Sequence, residues 1–341
     1  MFQENDIIKI LVPDMFGSGF DYRATAPCEI GSFAAVSVSR KPYAGIVIGP
    51  GDCGLPIEKI KPVAKHYLCK LPPASVEWIK KMSNWTMMPM GAVLRLMISR
   101  PELEIANPLR QKKYFDTGAV ALNGEQAAAA AAINLNGFSA RLLDGITGSG
   151  KTQVYFDAAL RAYESGKQVL MMMPEIALTA QFATRFEARF GAKPVIWHSN
   201  LTPAKRRDIW HGVLSCEARI VVGTRSALFL PWQDLGLIVV DEEHDGSYKQ
   251  DEMGTYNARD MAVLLGKLSG FPVVLASATP SFETLRNAEL GKYAVSRLTS
   301  RYGGAALPSI EVADMRKKTD ADRKANLQNA AGGGILKGIG S

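Results

Sequence analysis

The rhythm of apolar and polar positions changes near residue 122. Before it, the runs Ile7-Ile-Lys-Ile-Leu-Val12, Phe33-Ala-Ala-Val-Ser-Val38 and Ala44-Gly-Ile-Val-Ile48 are short, β-branched and separated by Gly, Pro and Asp clusters. They predict a β-rich region over residues 1–70. After Pro72-Pro73, the residues Val76, Ile79, Met82 and Trp85 fall near helical spacing, which predicts a helix. Residues 100–121 carry Pro101, Pro108, Arg110, Lys112 and Lys113 with weak periodicity and read as a linker. Beyond 122 the apolar runs become continuous: Val169–Met173, Pro194–Ile196, Ile220–Val222, Leu237–Val240 and Val273–Leu275, with helical stretches between most of them. A helix starting near Asn123, rich in alanine, precedes them. Buried strands alternating with helices predict an α/β fold, a parallel sheet covered on both faces. After Asp314 the chain turns polar and then Gly-rich, so a disordered or only locally ordered tail is expected.

Length and composition narrow this picture. A chain of 341 residues suggests two or three domains, with apolar content ample for a buried core. The four cysteines are scattered, with no C-x-x-C pair. Reduced thiols in a cytosolic protein are expected, and neither a zinc site nor a disulfide framework. No apolar run approaches the roughly 20 residues of a membrane span, and the N-terminus lacks a signal-type start. The net charge of +7 is uneven. Residues 1–120 hold 15 basic and 11 acidic residues, residues 315–341 hold 6 and 2, and the stretch between holds 19 and 20. Basic flanks around a neutral core are compatible with a nucleic-acid partner, and equally with a mildly basic protein that has none.

The residues that carry chemistry sit in the second region. Gly145-Ile-Thr147-Gly148-Ser149-Gly150-Lys151-Thr152 fits G-x-x-x-x-G-K-[ST] between an apolar strand end and a helix. Such a loop turns backbone N–H groups toward a β-phosphate. Lys151 would neutralise the β- and γ-oxygens of ATP, and Thr152 would offer a hydroxyl to Mg2+. Four apolar residues then lead into Asp241-Glu242-Glu243-His244. There Asp241 is expected to hold Mg2+ through water and Glu242 to orient and deprotonate the attacking water. His244 is either structural or a link from the nucleotide to a neighbouring motif. Gln126, about twenty residues before the loop, is either a surface helix residue or a reader of the adenine edge.

Three later segments narrow the class of ATPase: Pro174-Glu-Ile-Ala-Leu-Thr179, Val222-Gly-Thr224-Arg225-Ser226-Ala227 and Ala276-Ser277-Ala-Thr279-Pro-Ser281. Each follows a strand, and in order they resemble motifs Ia, Ib and III of superfamily 2 helicases. Asp241–His244 is the D-E-x-H form of motif II. Asp241-Glu-Glu-His-Asp-Gly-Ser-Tyr248-Lys249-Gln250, with Tyr256-Asn-Ala-Arg-Asp260, Leu142–Thr152 and Trp197-His-Ser199, closely resembles the primosomal protein N′ (PriA) family of replication-restart helicases. The resemblance runs from about Asn123 to about Asp314.

That resemblance implies an ATP-dependent DNA helicase of primosome assembly at stalled forks. Residues 122–314 would form the first RecA-like lobe, 1–105 a small β-rich domain binding the 3′ end of DNA, 106–121 a linker in place of a winged-helix domain, and 315–341 a flexible tail. Phe20-Asp21-Tyr22 matches the early F-D-Y signature, and Lys61 sits where the family tends to have lysine. Read without the family, Phe20 and Tyr22 are either strand residues packing a small core or an aromatic face for stacking, with Asp21 taking a terminal hydroxyl. Thr224, Arg225 and Ser226 would contact the DNA backbone. Tyr248, Lys249 and Tyr256 would belong to an aromatic-rich loop coupling DNA contact to hydrolysis, and Ser277, Thr279 and His244 would relay nucleotide state to it. Implied partners are forked or single-stranded DNA, single-stranded-DNA-binding protein and other primosome proteins, at the nucleoid in a bacterial cytoplasm. Ser39 stands where the family often has glycine. The second lobe, its arginine finger and the paired-cysteine zinc motifs are not in the sequence. The chain is therefore expected to bind ATP and DNA with weak turnover alone. The alternative is a fragment that binds fork DNA or nucleotide without catalysis.

Overall fold

The computed structural model describes residues 1–301 except 16, 53, 99–108, 110–112, 119–120 and 252–253. The tail expected over 315–341, the last residues of the 122–314 lobe and half of the 106–121 segment lie outside the described residues. Met1–Tyr302 form one compact unit.

The first region is an antiparallel sheet of β1 (Ile7–Leu11), β2 (Phe20–Arg23), β3 (Ser32–Val38), β4 (Lys41–Pro50) and β5 (Lys65–Lys70), ordered β2-β1-β4-β3-β5. Alternation along its strands serves two cores. Ile8, Ile10, Val36 and Val47 fill a core of the sheet's own, whereas Leu11, Phe33, Ile46 and Ile48 face the rest of the molecule. Helices α1 (Pro73–Thr86) and α2 (Met90–Met97) follow, each opened by a proline whose fixed φ suits a helix start. Their buried face joins the larger core: Trp78 Nε1 donates to Met261 O at 2.9 Å, and its ring lies 5.4 Å from Phe229. These two helices, expected within a 1–105 domain, thus share a core with the sheet that follows.

That sheet holds β6 (Ala140–Gly145), β7 (Gln168–Met172), β8 (Val195–Trp197), β9 (Ile220–Gly223), β10 (Leu235–Asp241), β13 (Val273–Ser277) and β14 (Ala294–Leu298). The order is β14-β6-β13-β10-β7-β9-β8, and every pairing is parallel. A two-residue hairpin, β11 (Lys249–Gln250) with β12 (Tyr256–Asn257), leads into α7. The helices are α3 (Gly124–Ala131), α4 (Lys151–Glu164), α5 (Ala180–Phe190), α6 (Pro203–Leu214), α7 (Ala258–Ser269) and α8 (Phe282–Glu289). β7, β9 and β13 are buried at every position, as the continuous apolar runs require. On one face Phe156 of α4 meets Phe182, Phe186 and Phe190 of α5. Tyr114, in the described part of the segment read as a linker, packs edge-on against Phe186 and Phe190. That part of the segment is therefore held on the lobe. Among the described residues no helix is long and apolar enough to cross a membrane.

Candidate active site

The carboxyl ends of β6, β10 and β13 bring Gly145, Asp241 and Ser277 to one edge of the parallel sheet, where open α/β sheets bind ligands. The loop after β6 closes on α4 through Gly150, whose φ is +86°. A Cβ there would stand 2.3 Å from Gln126 Nε2, so glycine is required by conformation and by space. Lys151 opens α4, is buried, and donates from Nζ to Gly145 O at 2.6 Å. Burial lowers its pKa, and the charges of Glu242, Asp241 and Asp144 act against that shift. Ser149 Oγ is buried without a hydrogen-bond partner.

Gln126 requires a correction. Its side chain is fully buried and both ends are engaged: Asn123 N donates to Oε1 at 3.0 Å, and Nε2 donates to Ser149 O at 2.9 Å. Asn123 Oδ1 accepts from Gln126 N in return, completing a capping box. The amide thus braces the phosphate loop against α3, and its edge is not presented to a base.

At the end of β10, Asp241 is held on three sides. Tyr155 donates its hydroxyl proton to Oδ2 (2.9 Å), Glu242 N donates to Oδ1 (3.1 Å) and Tyr248 donates to the main-chain carbonyl (2.6 Å). Burial raises the carboxyl pKa to about 6, opposed by the Tyr155 hydrogen bond. Glu242 has φ +45° and a partly exposed carboxylate 3.7 Å from His244 Nδ1. His244 Nδ1 and Ser277 Oγ share a 2.8 Å hydrogen bond, and Thr279 N donates to the same oxygen at 3.0 Å. His244, Ser277 and Thr279 therefore form one connection from β10 to β13.

A cavity of about 460 Å³ is lined by Thr147, Gly148, Gly150, Lys151 and Thr152 on one side and Asp241 and Glu242 on the other. Gln153 and Arg185 complete it. Among the described residues, Arg185 has no hydrogen-bond or ion-pair partner within the chain. Spacing gave no sign of it, because it comes from α5, which follows β7 and belongs to neither motif. Glu243 was likewise unassigned. It is buried at 1 % exposure and accepts from Arg259, Ser281 and Thr284, tying motif II to α7 and α8. The donor set suits Mg2+, which binds through one or two protein oxygens together with phosphates and water. No described cluster of three His, Cys, Asp or Glu could cage a metal.

A second cleft, of about 390 Å³, lies in the first sheet. Phe20, Asp21 and Tyr22 of β2, Ser37 and Ser39 at the end of β3, and Lys61 all line it. Asp21 Oδ1 is buried without a hydrogen-bond partner, 3.9 Å from Lys9 Nζ. Tyr22 is 3 % exposed and donates to Ser37 O at 3.0 Å, so its ring packs the core and lines the cleft without a free stacking face. Ser39 (φ +46°) and Arg40 (φ +68°) make the β3–β4 turn in left-handed conformation, which the glycine expected before Arg40 would adopt at less cost.

The loops beyond β9 and β10 meet through Arg225, which donates to Ser247 O (3.1 Å) and Lys249 O (2.7 Å). Trp197 Nε1 donates to Ser226 Oγ, which lies 3.3 Å from Thr224 Oγ1. Lys249 is exposed. Tyr248 and Tyr256, expected in an aromatic-rich loop coupling DNA contact to hydrolysis, do not present their rings at the surface. Tyr248 is 1 % exposed, and Tyr256 packs edge-on against Phe229 at 5.5 Å. Closure of the loop onto the lobe's core turns both rings inward.

Two families match this chain. Residues 123–288 match the DEAD/DEAH box helicase family, and residues 9–99 match the PriA 3′ DNA-binding domain (3′BD). The replication restart protein PriA of Rickettsia conorii is 39% identical over 320 residues, 92% of this chain and 49% of that protein. The chain belongs to the PriA family. The PriA protein of Haemophilus influenzae is 41% identical over 63% of this chain and 29% of its own length, and that of Bacillus subtilis 38% over 62% and 27%. The chain spans about half the length of the Rickettsia PriA relatives that it matches over nearly its full extent. Among solved structures, RecG bound to a three-way DNA junction aligns with a TM-score of 0.44 and 22% identity, over 66% of this chain and 31% of RecG. The Hef helicase domain of Pyrococcus furiosus aligns at 0.40 and 21%, over 52% and 38%.

Proposed function

We propose that this chain binds ATP with Mg2+ at the carboxyl edge of the parallel sheet and the 3′ end of a DNA strand in the cleft of the first sheet, as part of a replication-restart DNA helicase. The observation that carries the reading is the single cavity in which Lys151, Thr152, Asp241 and Glu242 converge. Lys151 would exchange its Gly145 carbonyl for phosphate oxygens, and the loop N–H groups would follow the β-phosphate. Arg185, across the cavity and unpaired among the described residues, would supply a second cation toward the phosphate chain. Thr152 and Asp241 would hold Mg2+. When bound, the ion offsets phosphate charge and polarises the transferred phosphoryl group. Glu242 would orient the attacking water and take its proton.

In the first sheet, the buried orphan oxygen of Asp21 is an acceptor for a 3′-hydroxyl, Phe20 offers a partly exposed ring, and Lys61 offers charge to the backbone phosphate. Thr224, Arg225, Ser226 and Lys249 form a second polar face for the strand. The domain scheme that goes with this is end binding by the first sheet and α1–α2, and ATP binding by the lobe from residue 122. Forked or single-stranded DNA is the proposed partner, together with single-stranded-DNA-binding protein and other primosome proteins at the bacterial nucleoid.

The test measures ATP binding and ATPase rate for the 341-residue chain, with and without forked DNA, beside Lys151→Ala, Glu242→Gln and Asp21→Ala. Lys151→Ala should lose ATP affinity at least tenfold, and Glu242→Gln should keep binding while losing turnover. Asp21→Ala should weaken binding to forks with a free 3′-hydroxyl and leave ATP binding intact. ATP binding that survives Lys151→Ala unchanged would overturn the ATP-site assignment, and unchanged fork binding by Asp21→Ala would overturn the end-site assignment.

A further inference from the structure

Behind the proposed metal position stands a side chain that no motif includes. Tyr155 lies one helical turn after Thr152 on α4, so the two side chains share a face. Its ring is buried at 1 % exposure and held edge-on by Phe156 at 5.3 Å. The hydroxyl has one proton, and the short contact takes it: Asp241 Oδ2 is 2.9 Å away. Thr152 Oγ1 is 3.5 Å from the same hydroxyl, a weak contact that brings the Thr152 hydroxyl within its influence. Tyr155 does not line the cavity that Thr152 and Asp241 both line. Its hydroxyl therefore sits behind the two groups, on the side away from the phosphate loop's open face.

We propose that Tyr155 is a positioning residue for the divalent cation. It fixes the Asp241 carboxylate and the Thr152 hydroxyl as one preorganised pair before nucleotide arrives. The physical argument is the second carboxylate oxygen. Glu242 N holds Oδ1, and without Tyr155 no side chain or amide among the described residues holds Oδ2, so the carboxylate plane would be free to tilt. Ligating carboxylates are commonly oriented by such outer hydrogen bonds, and their loss typically costs 10–100-fold in metal affinity. The proposal rests on the reading of Thr152 and Asp241 as the Mg2+ site.

Tyr155→Phe removes the hydroxyl and keeps the ring that packs on Phe156. Calorimetric titration of ATP into the full chain, once in EDTA and once in MgCl2, gives the affinity gained from Mg2+. The parent should show a clear gain. In Tyr155→Phe that gain should fall about tenfold, with the affinity in EDTA unchanged within twofold. A purely structural role would lower both affinities together, or only the melting temperature, and either result overturns the proposal, as does an unaltered gain. If the parent shows no gain from Mg2+, the metal-site reading fails and this proposal with it.

Discussion

Asp241 is a carboxyl that burial pushes from its ordinary 3.8 to about 6. The folded chain therefore holds that proton more tightly than the unfolded chain does. Ionisation of Asp241 costs no stability below about pH 4, an increasing amount up to about pH 6, and its full amount above. Asp241→Asn removes the charge and keeps an acceptor for Tyr155. In metal-free buffer its melting temperature should exceed the parent's at pH 7.5, and the difference should vanish near pH 4. A difference independent of pH would contradict the origin given for the shift. At this scale the motif residues were legible in the sequence, because short spacings across a strand end leave little freedom. Glu243 was not legible. It occupies the variable position of D-E-x-H, and its burial with Arg259, Ser281 and Thr284 depends on residues 16 to 41 positions away. Gln126 was legible as a residue of interest, but its role was not: the capping box and Ser149 engage the amide, which is neither the surface residue nor the reader of an adenine edge between which the sequence left the choice open.

Among the elements, the buried parallel strands read clearly as apolar runs. β5 and β14, which did not, are edge strands of their sheets, where one side meets solvent and polar residues interrupt the run. The helix after Pro72 was visible in its spacing, but its destination was not. Trp78 anchors α1 to α7 by a hydrogen bond and to Phe229 by its ring. Trp78→Phe should cost about 1 kcal/mol through the lost hydrogen bond, and Trp78→Ala about 3–5 kcal/mol, both measured by urea unfolding. Near-equal small losses would mean that α1 is not seated as described. The turn after α1 meets the hairpin loop as well: a Cβ on Gly254 would lie 2.4 Å from Met88 Sδ. The same closure turns Tyr248 and Tyr256 inward, where the aromatic-rich loop read from the sequence has no exposed tyrosine ring.

In the molecule as a whole, one apolar cluster runs from Phe33 and Ile46 of the first sheet through Trp78 to Trp210, Phe229 and Leu275 of the second. Phe33 meets Trp210 edge-on at 5.9 Å. Two sheets that share a core should unfold together. Native-state hydrogen exchange should give the same opening free energy for the slowest amides of β3–β4 and of β10–β13. Earlier opening of the first sheet by several kcal/mol would show two independent stability units. Periods and spacings in the sequence were enough for the α/β architecture, the G-x-x-x-x-G-K-[ST] loop and the acidic strand end, because each rests on neighbours a few residues apart, and the residues of the motifs carried the resemblance to the family. Which way an aromatic ring faces, which amide is already engaged and which cation is left unpaired depend on contacts between distant segments. Those were settled only when the sheets packed: Tyr248 closed on Asp241, Gln126 on Ser149, and Arg185 was brought to the cavity of the Gly145–Thr152 loop with no partner among the described residues.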